Sequence, residues 1–235
     1  MDTVHGPWLD QPLAAAFLGF NLLPVDWMHP SRSASWDVDE ACRAKLAACG
    51  ALASADPRAL RRHANTSLLN ALGPEEAVVS GLRDPALPLF MTCEESFERL
   101  LVGCGLMLLG PSIRRIITRE DLQALRTELT REELDFARES AGRRLPSDTG
   151  EGVAVSMGHV REQARGLGYQ VLAIVAEHAC LPVACRARLR LPSIPPAPHS
   201  ELPLPLRDGA SALAFARGVL QEVDPEWLSL FPAFP

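Results

Sequence analysis

The side chains best suited to chemistry gather late in the chain, at His178, Cys180 and Cys185, with His159 upstream of them. Imidazole and thiolate are ligands for zinc or iron, and a thiol beside an imidazole can act as a nucleophile. A metal- or thiol-dependent enzyme built on these four residues is therefore one reading of the chain. The H-x-C-x4-C run supplies a single ligand cluster, however, where a tetrahedral site usually draws closely spaced pairs from two elements. Buried thiols also serve as small apolar side chains. Glu177 beside His178 suggests an acid–base pair, but neighbours on a helix point about 100° apart and need not meet.

Elsewhere the chemistry thins out. His5, His29, His63 and His199 are isolated from one another in sequence. The paired carboxylates Glu75-Glu76, Glu94-Glu95 and Glu132-Glu133 all fall where helices are expected to begin, and the positive end of the helix dipole accounts for them. The sequence holds no Gly-rich phosphate loop, no G-x-S-x-G elbow and no H-E-x-x-H. No catalytic residue, cofactor or metal ligand is assigned on these grounds, and a non-enzymatic protein is expected.

Arginine offers a different function. Arg114 and Arg115 stand side by side between isoleucines, either pairing with Glu120 and Asp121 or meeting acidic residues of a partner. Arg186, Arg188 and Arg190 alternate with apolar residues, giving one basic face if the segment is extended, although a helix fits there too. Trp27, in the Pro-flanked segment FNLLPVDWMHPS, is the candidate apolar anchor, either filling a gap in the core or docking a partner. The candidate partner-binding residues are thus Arg114, Arg115 and Trp27.

The element that must position these groups is the stretch Phe97 to Ile117. Thr92 and Glu95 can form a capping box ahead of it. Phe97, Leu100, Leu101, Cys104 and Leu108 recur at helical spacing. Gly103 and Gly105 each cost about 1 kcal/mol of helix stability relative to Ala, which signals close approach by another element. The strongly apolar run covers about ten residues, against roughly 20 for a membrane span, so a buried core helix is expected. Gly110-Pro111-Ser112 should stop or kink it before a restart at Ile113.

With 235 residues, 47% of them hydrophobic, the chain can bury a sizeable core. The net charge of -6 argues against nucleic acid or an anionic membrane as the main partner. The opening MDTVHGPWLDQP has no basic region leading into an apolar one, and the six cysteines are scattered without a C-x-x-C, so a reduced cytoplasmic setting is expected.

The fold class expected is mainly α, a single irregular helical domain with Pro-rich straps and little or no β. Helices are expected at 13–19, 37–52, 57–72, from 75, at 119–128, 131–141, 154–179 and 209–223. Thr118 with Asp121, Thr130 with Glu133, and Asp208 or Ser211 serve as their caps. The segment 20–31 should be an extended or turn-rich strap, 84–91 a linker and 142–152 a loop. Residues 1–30 then form an N-terminal strap, 31–191 a helical core, 192–208 a Pro-rich connector, and 209–235 a helix and apolar tail packed on that core.

The run FERLLVGCGLMLLGPSIRRIITREDLQAL resembles the central segment of the SctK/YscK family of type III secretion proteins, with its Leu-rich, Gly-containing helix and Ile-Arg-Arg step. FNLLPVDWMHPS and CRARLRLP are similar to that family's N-terminal and late segments, in the same order. Together the three pieces span about a quarter of the chain. The resemblance implies a cytoplasmic adaptor of the injectisome sorting platform, without catalytic residues. It would link the cytosolic domain of the inner-membrane ring protein SctD to the pod protein SctQ, and through it to SctL and the ATPase SctN. Contact with the membrane would come through partners only. A secretion chaperone is a further alternative, and chaperones of that kind are generally smaller and richer in sheet.

Overall fold

The computed structural model describes residues 11–35, 57–72, 78–140, 153–193, 202 and 204–232. In chain order the helices are α1 (Pro12–Leu22), α2 (Pro30–Ser35), α3 (Pro57–Leu72), α4 (Leu87–Phe90), α5 (Glu94–Arg114), α6 (Arg119–Glu128) and α7 (Arg131–Ser140). They are followed by α8 (Val160–His178), α9 (Leu181–Arg190), α10 (Gly209–Val223) and α11 (Pro225–Ser229), with 3-10 turns at Pro24–Trp27 and Leu204–Arg207. No strand occurs among the described residues, and the fold is mainly α.

Backbone contacts group the chain into two compact units, residues 1–81 with 180–193, and residues 82–179 with 194–235. The strap at the N-terminus thus groups with α3 and α9, whereas the sequence-based partition kept it apart from residues 31–191.

In the first unit three prolines, Pro12, Pro24 and Pro30, each open a helical turn. The segment expected to be an extended strap therefore contains the end of α1, a 3-10 turn and the start of α2. Proline's fixed φ and missing N–H suit a first helical position as well as they suit a strap. The 3-10 turn is the hub of this unit, contacted by α1, α3 and α9. Asn65 on α3 accepts the Val25 amide at 2.9 Å. Asn21 exchanges two bonds with the Val79 backbone, at 2.8 and 3.3 Å. The expected helices at 37–52 and from 75 fall outside the described residues or continue outside them, while Val78 to Gly81 is not helical.

The second unit is built around α5, which packs most extensively on α8, then on α7 and α10. Gly105 lies against the backbone of Ala164, and in return Gly168 on α8 lies against the backbone of Leu101. Neither position leaves room for a Cβ. The cost of glycine in both helices is offset by this backbone-to-backbone contact. By length and composition α5 could cross a bilayer, but 78% of its most apolar window is buried in the structure. Leu100, Cys104, Met107 and Leu109 have no exposed surface at all. Around this core Arg165 pairs with Glu98, and Arg161 with Glu133 at 2.8 Å, tying α8 to α5 and α7.

Several local expectations are corrected here. α5 runs unbroken through Pro111 to Arg114 instead of restarting. Burial of Ile113 and a 2.7 Å bond from Ser112 Oγ to the Val153 carbonyl hold the last turn in place despite the lost N–H. Its N-cap is Cys93, with no side-chain capping bond, because Thr92 is buried and donates to the Leu89 carbonyl instead. The expected linker at 84–91 contains α4, wholly buried. The helix expected from Ala154 begins at Val160. Gln163 holds the approach open by accepting from the Ser156 amide and donating to the Ala154 carbonyl, and Gly158 turns it with φ 90°. The loop 142–152 lies outside the described residues.

The caps at α6 and α7 are as expected, with Thr118 accepting from the Asp121 amide and Thr130 exchanging two bonds with Glu133. Asp208 caps α10 by accepting from the Ser211 amide at 2.9 Å. Hydrogen bonds from the backbone and side chain of Ser211 hold the Asp208 carboxyl below its ordinary value, with a smaller contribution from His178. A group depressed in the folded state stabilises above its unfolded pKa, and that contribution fades as the pH falls through the folded value. Asp208→Asn is therefore expected to lose less melting temperature than the parent protein between about pH 6 and about pH 3, read by circular dichroism. Equal losses would show that the charge at this cap is not linked to folding.

Candidate functional site

The arginine step falls at the C-terminal end of α5. Arg114 does not pair with Glu120 or Asp121. Its guanidinium donates to the carbonyls of Arg138 and Glu139, where the last turn of α7 leaves acceptors without intrahelical partners. Arg114 thus fastens α7 to α5. Arg115, the C-cap of α5, is exposed, and its side chain has no bonding partner among the described residues.

Beyond it the chain runs out to the surface. Ile116 is half-buried, whereas Ile117 is 85% exposed, the most exposed large apolar side chain described. Ile117 directly precedes Thr118, the N-cap of α6. An apolar residue in that place commonly folds back onto the fourth helical residue, here Leu122, as a hydrophobic staple. At such exposure Ile117 makes no such cover. Arg119 follows, also exposed and without a side-chain bond among the described residues. The junction between α5 and α6 thus presents an isoleucine between two outward arginines.

Trp27 belongs to the other unit. Its ring packs edge-on to Phe20 at 5.8 Å between centroids, and the Arg190 guanidinium lies 4.9 Å from its centre. It is half-buried, so much of this candidate anchor is engaged within its own unit. The Arg186–Arg190 ladder is helical, in α9, and does not form one basic face. Residues four apart share a helix face, so Arg186 and Arg190 both turn inward, at 2% and 3% exposure, while Arg188 faces out. Arg186 donates to the Asn21 carbonyl at 2.9 Å, and its burial lowers its pKa.

His159 and His178 do not assemble. His159 is the N-cap of α8 and His178 its last residue, so one helix of 19 residues separates them. That is about 28 Å at 1.5 Å per residue, too far for a shared metal ion. His159 lies 3.6 Å from Glu162, and His178 Nδ1 lies 2.9 Å from the Ile174 carbonyl. Cys180 and Cys185 fall in the other unit. Among the described residues no three His, Cys, Asp or Glu side chains are grouped as a metal site.

Sequence reasoning placed Arg114 and Arg115 together, and the structure separates their roles. Ile117 and Arg119 are not among the candidates the sequence offers, although an isoleucine just before a Thr cap is a recognisable staple position whose exposure only the fold reveals. Compared with known proteins, the chain matches no family model, no curated protein and no solved structure.

Proposed function

We propose that this protein is a non-enzymatic adaptor of the type III secretion sorting platform, of the SctK/YscK kind, acting at the cytoplasmic face of the inner membrane. It joins the cytosolic domain of an SctD-type ring protein to an SctQ-type pod protein, and through the latter connects to SctL and the SctN ATPase. The observation that carries this reading is the fate of the stretch on which the resemblance rests. Its apolar part is the central helix of a compact helical unit, and its Ile-Arg-Arg end runs into the exposed Arg115–Ile117–Arg119 turn. A core helix ending in an outward apolar and basic turn suits recognition by surface complementarity, where arginine is among the residues enriched at binding hot spots.

Size-exclusion chromatography with each partner domain from the same genome tests the reading. Co-elution with either domain at micromolar concentration is expected. Clean separation from both would contradict it.

A further inference from the structure

A surface helix usually turns apolar residues inward and polar ones outward, and α1 of the first unit does not. Its buried residues are Phe20 and Asn21, and its main neighbour is the 3-10 turn at Pro24–Trp27, where Phe20 meets Trp27. The opposite face carries Gln11, Ala15, Leu18 and Leu22, spaced by four, three and four. Ala15 is exposed, Leu18 half-buried and Leu22 55% exposed. This is the a/d spacing of a coiled-coil seam, turned away from the unit's own core. Exposed Leu23 and Val78 extend the patch at the C-terminal end of α1, where Asn21 holds the Val79 backbone. A helix of 11 residues is marginal by itself in water, so covering the seam stabilises it.

Charge and side-chain size decide what covers it. No charged residue occurs from Gln11 to Val25. Residues 1–81 with 180–193 hold nine acidic and nine basic side chains, so the net charge of -6 falls on the other unit. A strongly charged partner finds no counter-charge on the seam. A bilayer does not fit either, because α1 is about half the length of a span and lacks the basic face of an interfacial helix. A second copy of the same neutral surface meets no net repulsion. In an antiparallel pair with its two-fold axis near Leu18, each Ala15 faces Leu22 of the other copy. Small then meets large at both ends, and the two Leu18 side chains meet at the centre. Parallel pairing would set Ala15 on Ala15 and leave a gap.

We infer that α1 is a self-association surface: two copies of this chain join through an antiparallel, two-fold pairing of the Ala15–Leu18–Leu22 seam. The contact is small. A pair of three-turn helices buries less than the roughly 1,600 Å² of a standard interface, so the dimer is reversible, with a Kd on the order of 10–100 μM. The inference goes beyond the adaptor reading and does not depend on it, since the Arg115–Ile117–Arg119 turn belongs to the other unit.

Sedimentation velocity of the full-length protein from about 5 to about 300 μM tests this without SctQ or SctD, so either idea can fail alone. The weight-average mass is expected to rise from one chain towards two. Leu22→Glu puts a carboxylate into each seam and should leave a monomer throughout, with melting unchanged because Leu22 faces outward. Ala15→Lys alone should also weaken the dimer. Combining the two substitutions should restore it to within about tenfold of the parent Kd, because position 15 then offers an ammonium to the carboxylate at position 22 of the other copy. The parent's concentration series decides even where a variant melts early. A parent that stays monomeric at every concentration would overturn the proposal and assign the seam to a different protein. A dimer unaffected by Leu22→Glu, or a combined variant that stays monomeric, would equally overturn it.

Discussion

Replacing Gly105 by alanine is expected to lower the melting temperature by roughly 6–12 °C, the equivalent of about 3 kcal/mol in a chain of this size. The new methyl group would overlap the Ala164 backbone, which no side-chain rotation can relieve. The helices must separate, and separation costs contacts along the whole α5–α8 interface. Alanine's better helix propensity, about 1 kcal/mol, offsets only part of this. Gly168→Ala should behave alike, because its Cβ would meet the Leu101 carbonyl. Gly103→Ala should cost less, since its tightest neighbour is the movable Cγ1 of Val219 at 3.0 Å. Gly81→Ala, with nothing within 4 Å, is the control expected to be neutral. Thermal unfolding followed by circular dichroism ranks the four. A shift under about 1 °C for Gly105→Ala would mean that α8 does not approach α5 so closely.

The second large effect concerns binding. Arg115→Glu with Ile117→Asp is expected to weaken the partner that uses the α5–α6 turn by at least about 30-fold, or about 2 kcal/mol, with helicity and melting unchanged. Both side chains point outward, so their replacement leaves the core intact. Arg114→Ala should do the reverse. It removes the bonds to the Arg138 and Glu139 carbonyls, lowering stability while leaving affinity close to the parent. Isothermal titration of both variants separates the roles. If Arg114→Ala weakens binding as much as the double variant does, the division drawn between neighbouring arginines is wrong.

That division also marks the limit of what the chain reveals before folding. Local rules read well where the causes are local. The caps at Thr118, Thr130 and Asp208 form as their spacing requires, and the helical class follows from apolar residues at every third or fourth place. Gly105 announced a close approach, though not the reciprocal Gly168 that completes it. Pro111 misled because its cost depends on tertiary contacts made by Ile113 and Ser112. The arginine ladder leaves helix and strand both open, because alternation in a short segment fits either, and the burial of Arg186 and Arg190 on one helical face decides for the helix. His178 and Cys180 are two residues apart, yet among the described residues no three His, Cys, Asp or Glu side chains group as a metal site. At the proposed partner turn, the Ile-Arg-Arg run singles out Arg115 in the sequence, whereas Ile117 stands out only once the fold leaves it 85% exposed.

As the proposed adaptor, one chain would hold two partners at once. Mixing it with the SctQ-type protein and the SctD-type cytosolic domain, then weighing the eluting species by light scattering, tests that directly. A single species containing all three chains is expected, absent when this protein is left out. Two binary complexes that exclude each other, or no complex at all, would contradict it.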